Sequence, residues 1–258
     1  MIHLVENKKS IAPIFDGWEE TMIWSCLQGC MGVAYADDPV SPVSAQISVG
    51  DFCCFAGRVN EELINGKLES IGSNFTILAP QNKEWERAIE HCGKGRVKRH
   101  IRYSTKKEED SFCTEKLTDI VSKLPEQYEL VPIKFEEYEK VMALEWAKDL
   151  CFNYASYEDY KKSGIGFVIV KDGEIVSGAS SYTFYNDGIE IEIDTREDER
   201  RKGLALVCGA KLILECLILN LYPSWDAHTS ESLALSEKLG YRFDKEYAVY
   251  IANFNNDK

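Results

Sequence analysis

The sequence predicts an α/β (α+β) protein with two domains, the second of which is a mixed sheet flanked by helices. From residue 127 onward, short apolar strand patterns alternate with amphipathic helix patterns. The turns Asp172-Gly173 and Asn186-Asp187-Gly188 separate three apolar runs, and such turns are typical of antiparallel hairpins. A long helix pattern follows the third run, so the next strand is expected to lie parallel to it.

A change in composition predicts the domain boundary near residue 125. The charged segment Thr105–Asp110 is followed by a short helix pattern that ends at Pro125. We therefore expect a smaller mixed α/β domain over residues 1–124 and a second domain over residues 125–258. The first domain mixes short strands with amphipathic helices, and its role is open between a lid, a substrate surface and a dimer surface.

The composition is that of a folded protein with an acidic surface. The 258 residues are 45% hydrophobic and 28% charged, with a net charge of −13. This charge disfavours nucleic acid as a partner, because lysine and arginine must neutralise its phosphates, and it disfavours anionic membranes. It is compatible with a cationic substrate such as an amine, although an acidic surface that is simply solvated is the simpler interpretation.

Cysteine and histidine usage indicates neither a metal site nor a disulfide framework. The nine cysteines show no C-x-x-C pairs and the four histidines are scattered, which is typical of a reducing compartment. The N-terminal residues do not resemble a signal peptide. The apolar run Leu204–Tyr222 contains Lys211 and Glu215, so we expect a buried helix rather than a membrane span. The predicted location is the cytoplasm.

The segment Gly188–Leu219 carries the clearest chemical signal. Its first residues alternate between isoleucine and acidic side chains, which predicts a strand. The basic segment Arg200–Ala205, with Gly203 at its centre, then leads directly into the long helix. Free backbone N–H groups and the positive end of the helix dipole make such a loop suited to binding phosphate.

The second half of the chain resembles the GNAT acyltransferase superfamily over about Tyr128–Ala252. The loop Arg200-Arg201-Lys202-Gly203-Leu204-Ala205 matches the family motif Q/R-x-x-G-x-G/A. The segment Thr229–Tyr241 resembles a later family signature, with Thr229 in place of the usual asparagine and Ser236 in place of a common tyrosine. The whole chain further resembles the two-domain branch typified by zwittermicin-resistance acetyltransferases.

The resemblance implies acetyl-CoA as co-substrate, an amine of a small molecule as acceptor, and no metal. It implies that the pyrophosphate sits on the loop, and that the pantetheine arm lies in a gap between the strand before the loop and the strand near residue 225. The residues expected to bind acetyl-CoA are Ile193, Thr195, Arg200, Arg201, Lys202, Gly203, Leu204, Ala205, Thr229 and Ser232.

Catalysis requires a base, because an ammonium group with a pKa near ~10.4 must lose a proton before it attacks. Glu190 and Glu192 are the candidates, since both lie on one face of the central strand. A solvated or salt-bridged face explains the same pattern. Ser236 replaces the tyrosine that is proposed in the family to protonate the leaving thiolate, so a general acid is not expected at that position.

Two further alternatives follow from the sequence. The absent tyrosine leaves open a non-catalytic module that binds acyl-CoA without transferring the acyl group. The first domain could also be a degenerate copy of the same fold, although no second phosphate loop is recognisable there. A homodimer is compatible with the sequence.

Overall fold

The computed structural model describes residues 1–70 and 75–252. Residues 71–74 of the predicted first domain, and residues 253–258 of the predicted second, lie outside the described residues. The chain forms two compact units. The first contains residues 1–102 together with the chain from residue 246, and the second contains residues 103–245.

This division differs from the boundary that the composition predicts near residue 125. Residues 103–124 belong to the second unit, because their helix α4 (Thr114–Ser122) packs against its core. Leu117 of that helix is fully buried in the same apolar cluster as Phe167 and Ile169. The charged segment Thr105–Asp110 therefore does not separate α4 from the core of the second unit.

The first unit is a mixed sheet with helices. Its elements are β1 (His3–Leu4), α1 (Thr21–Leu27), β2 (Val33–Ala36), β3 (Ser44–Val49), β4 (Phe52–Gly57), α2 (Glu61–Ser70), β5 (Thr76–Pro80) and α3 (Lys83–Gly93). Strands β2, β3 and β4 are antiparallel, and β5 lies parallel to β4. Strand β13 (Phe243–Ala252) pairs antiparallel with β5, with Tyr250 opposite Leu78.

The second unit repeats this order of strands and helices. Its elements after α4 are β7 (Glu129–Pro132), α5 (Phe135–Ala143), α6 (Tyr157–Ser163), β8 (Gly166–Lys171), β9 (Glu174–Tyr185), β10 (Gly188–Thr195), α7 (Leu204–Ile218), β11 (Tyr222–Ser224), β12 (Asp226–Ala227) and α8 (Ser230–Leu239). Strands β7 to β10 are antiparallel, and β11 lies parallel to β10. Strand β12 pairs antiparallel with the end of β6 (Val97–Thr105).

The two units share a topology of three antiparallel strands, a helix and a parallel strand. In the first unit β2-β3-β4-α2-β5 follows this order, and in the second β8-β9-β10-α7-β11 does so. The hypothesis that the first domain is a degenerate copy of the second is supported by this repeat. The sequence does not reveal this repeat, because the segment before α2 lacks the basic loop that precedes α7.

Helix α7 is the apolar centre of the second unit. Eight of its fifteen residues are buried, among them Cys208 and Cys216. At Gly209 a Cβ atom would lie 2.9 Å from Leu239 of α8 and 3.1 Å from Ile193 of β10, so the absence of a side chain allows close packing. In the described part of the chain, no helix is both long and apolar enough to cross a membrane.

The Leu117→Ala variant tests the place of α4 in the second unit. We expect it to lower the free energy of unfolding by about 2–5 kcal/mol, because a fully buried leucine leaves a cavity. Urea unfolding followed by tryptophan fluorescence measures the change. The exposed neighbour Lys116 provides the control Lys116→Ala, which is expected to stay within about 0.5 kcal/mol of the wild type. Equal stability of the two variants would contradict the assignment of α4 to this core.

Candidate functional site

The strand pair β10–β11 separates shortly after it forms. Parallel pairing covers Gly188–Glu190 on β10 and Tyr222–Ser224 on β11. The chain then turns away, and β12 pairs with β6 through Asp226 opposite Ser104. The predicted gap between the two strands is therefore confirmed. The prediction of one continuous strand over residues 222–227 is wrong, because Trp225 interrupts it and β11 and β12 pair with different strands.

Glu190 lies where the two strands separate. Its side chain is only 7% exposed, and its Oε1 accepts a hydrogen bond of 2.7 Å from the backbone N–H of Asp226. A β-bulge in the β9–β10 pairing begins after the same residue. The carboxylate thus satisfies a backbone N–H group of the departing strand, a role that the sequence pattern does not predict.

Glu192 and Asp194 follow Glu190 on the same face of β10. Glu192 is half-buried, and its Oε1 accepts a hydrogen bond of 3.2 Å from the N–H of Ile193. Burial, together with the nearby carboxylate of Asp149, raises the pKa of Asp194 to about 6. The period-two pattern places Asp194 with the two glutamates, whereas nothing in the sequence brings Asp149 to this strand.

The loop before α7 has the backbone conformation expected of an anion-binding turn. Gly203 is the N-cap residue of α7 with φ +83°, and Arg201 also lies in the left-handed region with φ +63°. The N–H of Val207 bonds to the carbonyl of Gly203 at 3.2 Å, so the N–H groups that precede it have no acceptor in the helix. A Cβ at Gly203 would meet no atom within 4 Å, which leaves open space in front of the helix N-terminus.

A groove of about 520 Å³ lies at this loop. It is lined by Thr195, Glu199, Arg200, Arg201, Gly203, Leu204, Ala205, Leu206, Glu231, Leu235 and Lys238. Six of the ten residues predicted to bind acetyl-CoA are among them, and they are Thr195, Arg200, Arg201, Gly203, Leu204 and Ala205. The volume lies within the range of small-molecule and cofactor sites.

The other four predicted residues lie outside the lining of this groove. Ile193 faces α7 and packs on the core of the unit. Thr229 is the N-cap residue of α8, and its Oγ1 accepts a hydrogen bond from the N–H of Ser232 at 3.1 Å. Ser232 Oγ accepts a hydrogen bond of 3.2 Å from the indole N–H of Trp225. These two polar side chains therefore have structural partners in the fold.

Lys202, the fourth, is held by the carboxylate of Glu199. The Lys202 Nζ to Glu199 Oε2 distance is 2.9 Å, and Lys171 Nζ lies 2.8 Å from Oε1. The hydroxyl of Tyr128 donates to the same carboxylate at 2.6 Å. Glu199 is only 2% exposed. Hydrogen bonds from Lys171, Tyr128 and Lys202 lower its pKa to about 2, so the residue is ionised and anchors the loop to Tyr128, just before β7, and to Lys171 of β8.

Ser236 does not reach the groove. It is fully buried in α8, and its hydroxyl donates to the carbonyl of Leu233 at 2.8 Å. The sequence analysis missed five lining residues, which are Glu199, Leu206 and the three α8 residues Glu231, Leu235 and Lys238. Spacing along α8 provides the missing signal, since residues 231, 235 and 238 lie on one helical face.

No group of three or more His, Cys, Asp or Glu side chains within residues 1–70 and 75–252 is placed to hold a metal ion. The charged side chains that line the groove are those of Glu199, Arg200, Arg201, Glu231 and Lys238. Arg200 is exposed, and its Nε donates to the carbonyl of Thr195 at 3.1 Å. This contact connects the loop to the end of β10.

The Glu199→Gln variant tests the anchoring of the loop through its acid stability. Because the folded-state pKa of Glu199 is depressed to about 2, its ionisation stabilises the folded state above its ordinary value of 4.5. That contribution is lost as the pH falls from about 4.5 towards 2. Thermal unfolding between pH 2 and 7 should therefore show a smaller loss on acidification for the variant. Parallel curves for variant and wild type would contradict this role.

Comparison with known proteins identifies relatives over nearly the whole chain. A family model described as GNAT acetyltransferase matches residues 12–250. The chain is 46% identical to a GCN5-related N-acetyltransferase-like protein from Streptococcus suis 89/1591 of known crystal structure. That match covers 95% of this chain and 98% of the other, with a TM-score of 0.90.

Two further proteins match part of the chain or share only its fold. An uncharacterized N-acetyltransferase of Bacillus subtilis, YdfB, is 33% identical over 110 residues, which is 39% of this chain and 42% of that protein. The alignment thus spans less than half of that relative. A tandem GNAT protein from the clavulanic acid biosynthesis pathway shares the fold over 100% of both chains, at 10% identity and a TM-score of 0.58.

Proposed function

The chain belongs to the GNAT acetyltransferase family, and we propose that it transfers the acetyl group of acetyl-CoA to the amine of a small molecule. The observation that carries this proposal is the groove at the N-terminus of α7, next to a strand that separates from its parallel neighbour. The family uses acetyl-CoA as co-substrate and acts on amines. The acceptor of this chain, and direct attack in a ternary complex, are parts of the proposal.

The pyrophosphate of acetyl-CoA is proposed to bind at the loop. The N–H groups of the first turn of α7 point out of the helix end, where the helix dipole favours negative charge. Arg200 and Arg201 line the groove and add positive charge. Lys202 contributes less, because Glu199 already neutralises its ammonium group.

The pantetheine arm is proposed to follow the exposed edge of β10 beyond Glu190. The pairing between β10 and β11 covers residues 188–190 on β10, and Thr195 at the end of that strand lines the groove. Backbone groups near Ile193 and Thr195 can bond to the amides of the arm even though the Ile193 side chain faces the core. An N–H group on this edge, aimed at the thioester oxygen, would stabilise the developing oxyanion.

Glu192 is proposed as the base and Glu190 as a positioning residue. Glu190 is buried and its Oε1 binds the Asp226 N–H, whereas Glu192 is half-buried and closer to the open part of the strand. The amine nitrogen forms the new N–C bond, the C–S bond breaks, and the proton lost by the amine passes to Glu192 directly or through water. CoA leaves as the thiolate and takes up a proton from water, and the N-acetylated product leaves.

Several narrower assignments are part of the same proposal. The likeness to two-domain zwittermicin-resistance acetyltransferases is supported by the two units of the chain. A cytoplasmic location, a homodimer, and the absence of nucleic-acid and membrane partners stay predictions from the sequence. Thr229 and Ser232 are proposed to support the cofactor indirectly, by fixing the start of α8.

The Gly203→Glu variant tests acetyl-CoA binding at the loop. A carboxylate in front of the helix N-terminus should repel the pyrophosphate and raise the Kd for acetyl-CoA at least about tenfold. Isothermal titration calorimetry measures the Kd. Gly17 of the first unit has φ +77° and the same open surroundings, so Gly17→Glu carries an equal charge and similar backbone strain away from the groove. An equal Kd for the two variants would contradict the assignment.

Glutamine substitutions distinguish the roles of Glu190 and Glu192. Glu192→Gln removes the proposed base and should lower kcat/KM by about 10²–10⁴, with the Kd for acetyl-CoA unchanged. Glu190→Gln retains an amide oxygen for the Asp226 N–H and should change kcat/KM less than about tenfold. Release of free CoA, detected with a thiol reagent across a panel of small amines, provides the measurement. The reverse order of the two effects would assign the base to Glu190.

The alternative is a module that binds acyl-CoA without transfer. The buried position of Ser236 favours it, because this residue cannot donate a proton to a leaving thiolate in the groove. The same CoA-release measurement separates the two functions. Acceptor-dependent release supports the transferase, and tight acetyl-CoA binding with no release for any amine supports the module.

A further inference from the structure

Three residues of helix α8 line the groove at the start of α7 and have no role in the acetyl transfer proposed above. They are Glu231, Leu235 and Lys238. Helix α8 spans Ser230–Leu239, and the three residues lie on one face of it because they are four and three positions apart. The groove is therefore bounded by the loop and the first turn of α7 and, in addition, by this face of α8.

Lys238 is a cation of the groove that has no partner in the described chain. Its side chain is exposed, and within residues 1–70 and 75–252 it forms neither an ion pair nor a side-chain hydrogen bond. Lys202 of the loop, in contrast, is bound to Glu199 at 2.9 Å. An ammonium group that lines a groove without an internal partner is available to an anionic group of a ligand.

Glu231, the acidic residue of this face, lies at the other end of α8. It is in the first turn of the helix, and its Oε2 accepts a hydrogen bond of 3.2 Å from Ser230 Oγ. Hydrogen bonds from its own backbone N–H and from Ser230 and Thr229 lower its pKa. Seven positions separate it from Lys238, which corresponds to about 10 Å along the helix axis. A ligand phosphate is therefore expected at the Lys238 end of the face.

Apolar surface accompanies the free lysine. Leu235 of α8 and Leu206 of α7 both line the groove, and both are half-buried with their inner parts packed against the core of the second unit. Their exposed parts offer a surface for an aromatic ring, because the burial of apolar area is favourable. Lys238 follows Leu235 by about one helical turn, so this side of the groove combines an apolar patch with a nearby positive charge.

The chemistry of acetyl-CoA matches this combination. Its pyrophosphate carries two substituents, and one of them is the pantetheine arm, which is proposed above to follow β10 from Thr195. The other is adenosine with a phosphate monoester on its 3′ oxygen, and such a monoester carries a charge of about −1.5 to −2 at pH 7. With the pyrophosphate at the loop and the pantetheine on β10, the side of the groove that is left for the adenosine is α8.

We propose that Lys238 binds the 3′-phosphate of acetyl-CoA, with the adenine ring packed on Leu206 and Leu235. This inference rests on the proposed function, since it requires acetyl-CoA in the groove. Lys238 is then a specificity-determining residue, which selects CoA over analogues that lack the 3′-phosphate. All of these residues belong to the second unit.

Calorimetry with CoA and 3′-dephospho-CoA tests the proposal, because the two ligands differ only in that phosphate. The wild type should bind CoA at least about threefold more tightly than 3′-dephospho-CoA. Lys238→Gln should abolish this preference by weakening CoA, while the Kd for 3′-dephospho-CoA stays within about twofold of the wild-type value. Lys238→Arg retains the positive charge and should retain the preference.

Two substitutions provide matched controls. Arg201→Gln removes a charge that is proposed to bind the pyrophosphate, so it should weaken both ligands by the same factor and leave the preference unchanged. Lys116→Gln removes an exposed lysine of α4 that is not part of the groove lining, and it should change neither Kd. Thermal unfolding checks that all of the variants are folded.

The outcomes separate this inference from the proposed function. Equal binding of CoA and 3′-dephospho-CoA by the wild type overturns the role of Lys238 and leaves the proposed acetyl-CoA site intact. An equal loss of affinity for both ligands in Lys238→Gln does the same. If neither ligand binds to the wild type, the proposed function is contradicted, and this inference with it.

Discussion

The separation of β12 from β10 is the constraint on which the groove depends. Trp225 enforces it, since its side chain is buried against Tyr241 and its carbonyl accepts a hydrogen bond of 2.7 Å from Thr105 of β6. Once the chain turns towards β6, the N–H of Asp226 can no longer pair with β10. Glu190 supplies the substitute acceptor, so the gap between the strands opens without an unsatisfied backbone group at its start. The open edge of β10 therefore depends on the buried side chain of Trp225 and on the carboxylate of Glu190.

Charge at the start of a helix distinguishes two units of the same topology. Helix α7 begins after the basic segment Arg200–Lys202, whereas α2 has Glu61 and Glu62 in its first turn. These acidic side chains interact with the positive end of the helix dipole, and their negative charge disfavours binding of an external anion at the start of α2. Within the loop of α7, Glu199 forms ion pairs with Lys202 and with Lys171 of β8. The architecture is repeated, while the run of three basic residues precedes α7 and not α2.

Sequence patterns predict the elements whose conformation depends on residues close in sequence. The alternation in β10 and the hairpin turns around β9 place these elements correctly. The loop before α7 is also recognisable, because its glycine follows three basic residues and precedes a helix pattern. In the structure this glycine has a positive φ. The split at Trp225, the Glu199 network and the place of α4 depend on partners far away in sequence, such as Thr105, Lys171 and Phe167. Neither spacing nor composition encodes those pairings.

The pairing of β5 with β13 has a consequence for synthesis of the protein. Leu78 lies opposite Tyr250, so the sheet of the first unit takes a strand from the far end of the sequence. While the ribosome is still making the second unit, the β5 edge exposes unpaired backbone groups. Such an edge invites association with other strands, and contacts between distant residues form slowly. The sheet of the first unit can therefore be completed only after the second unit has been synthesised.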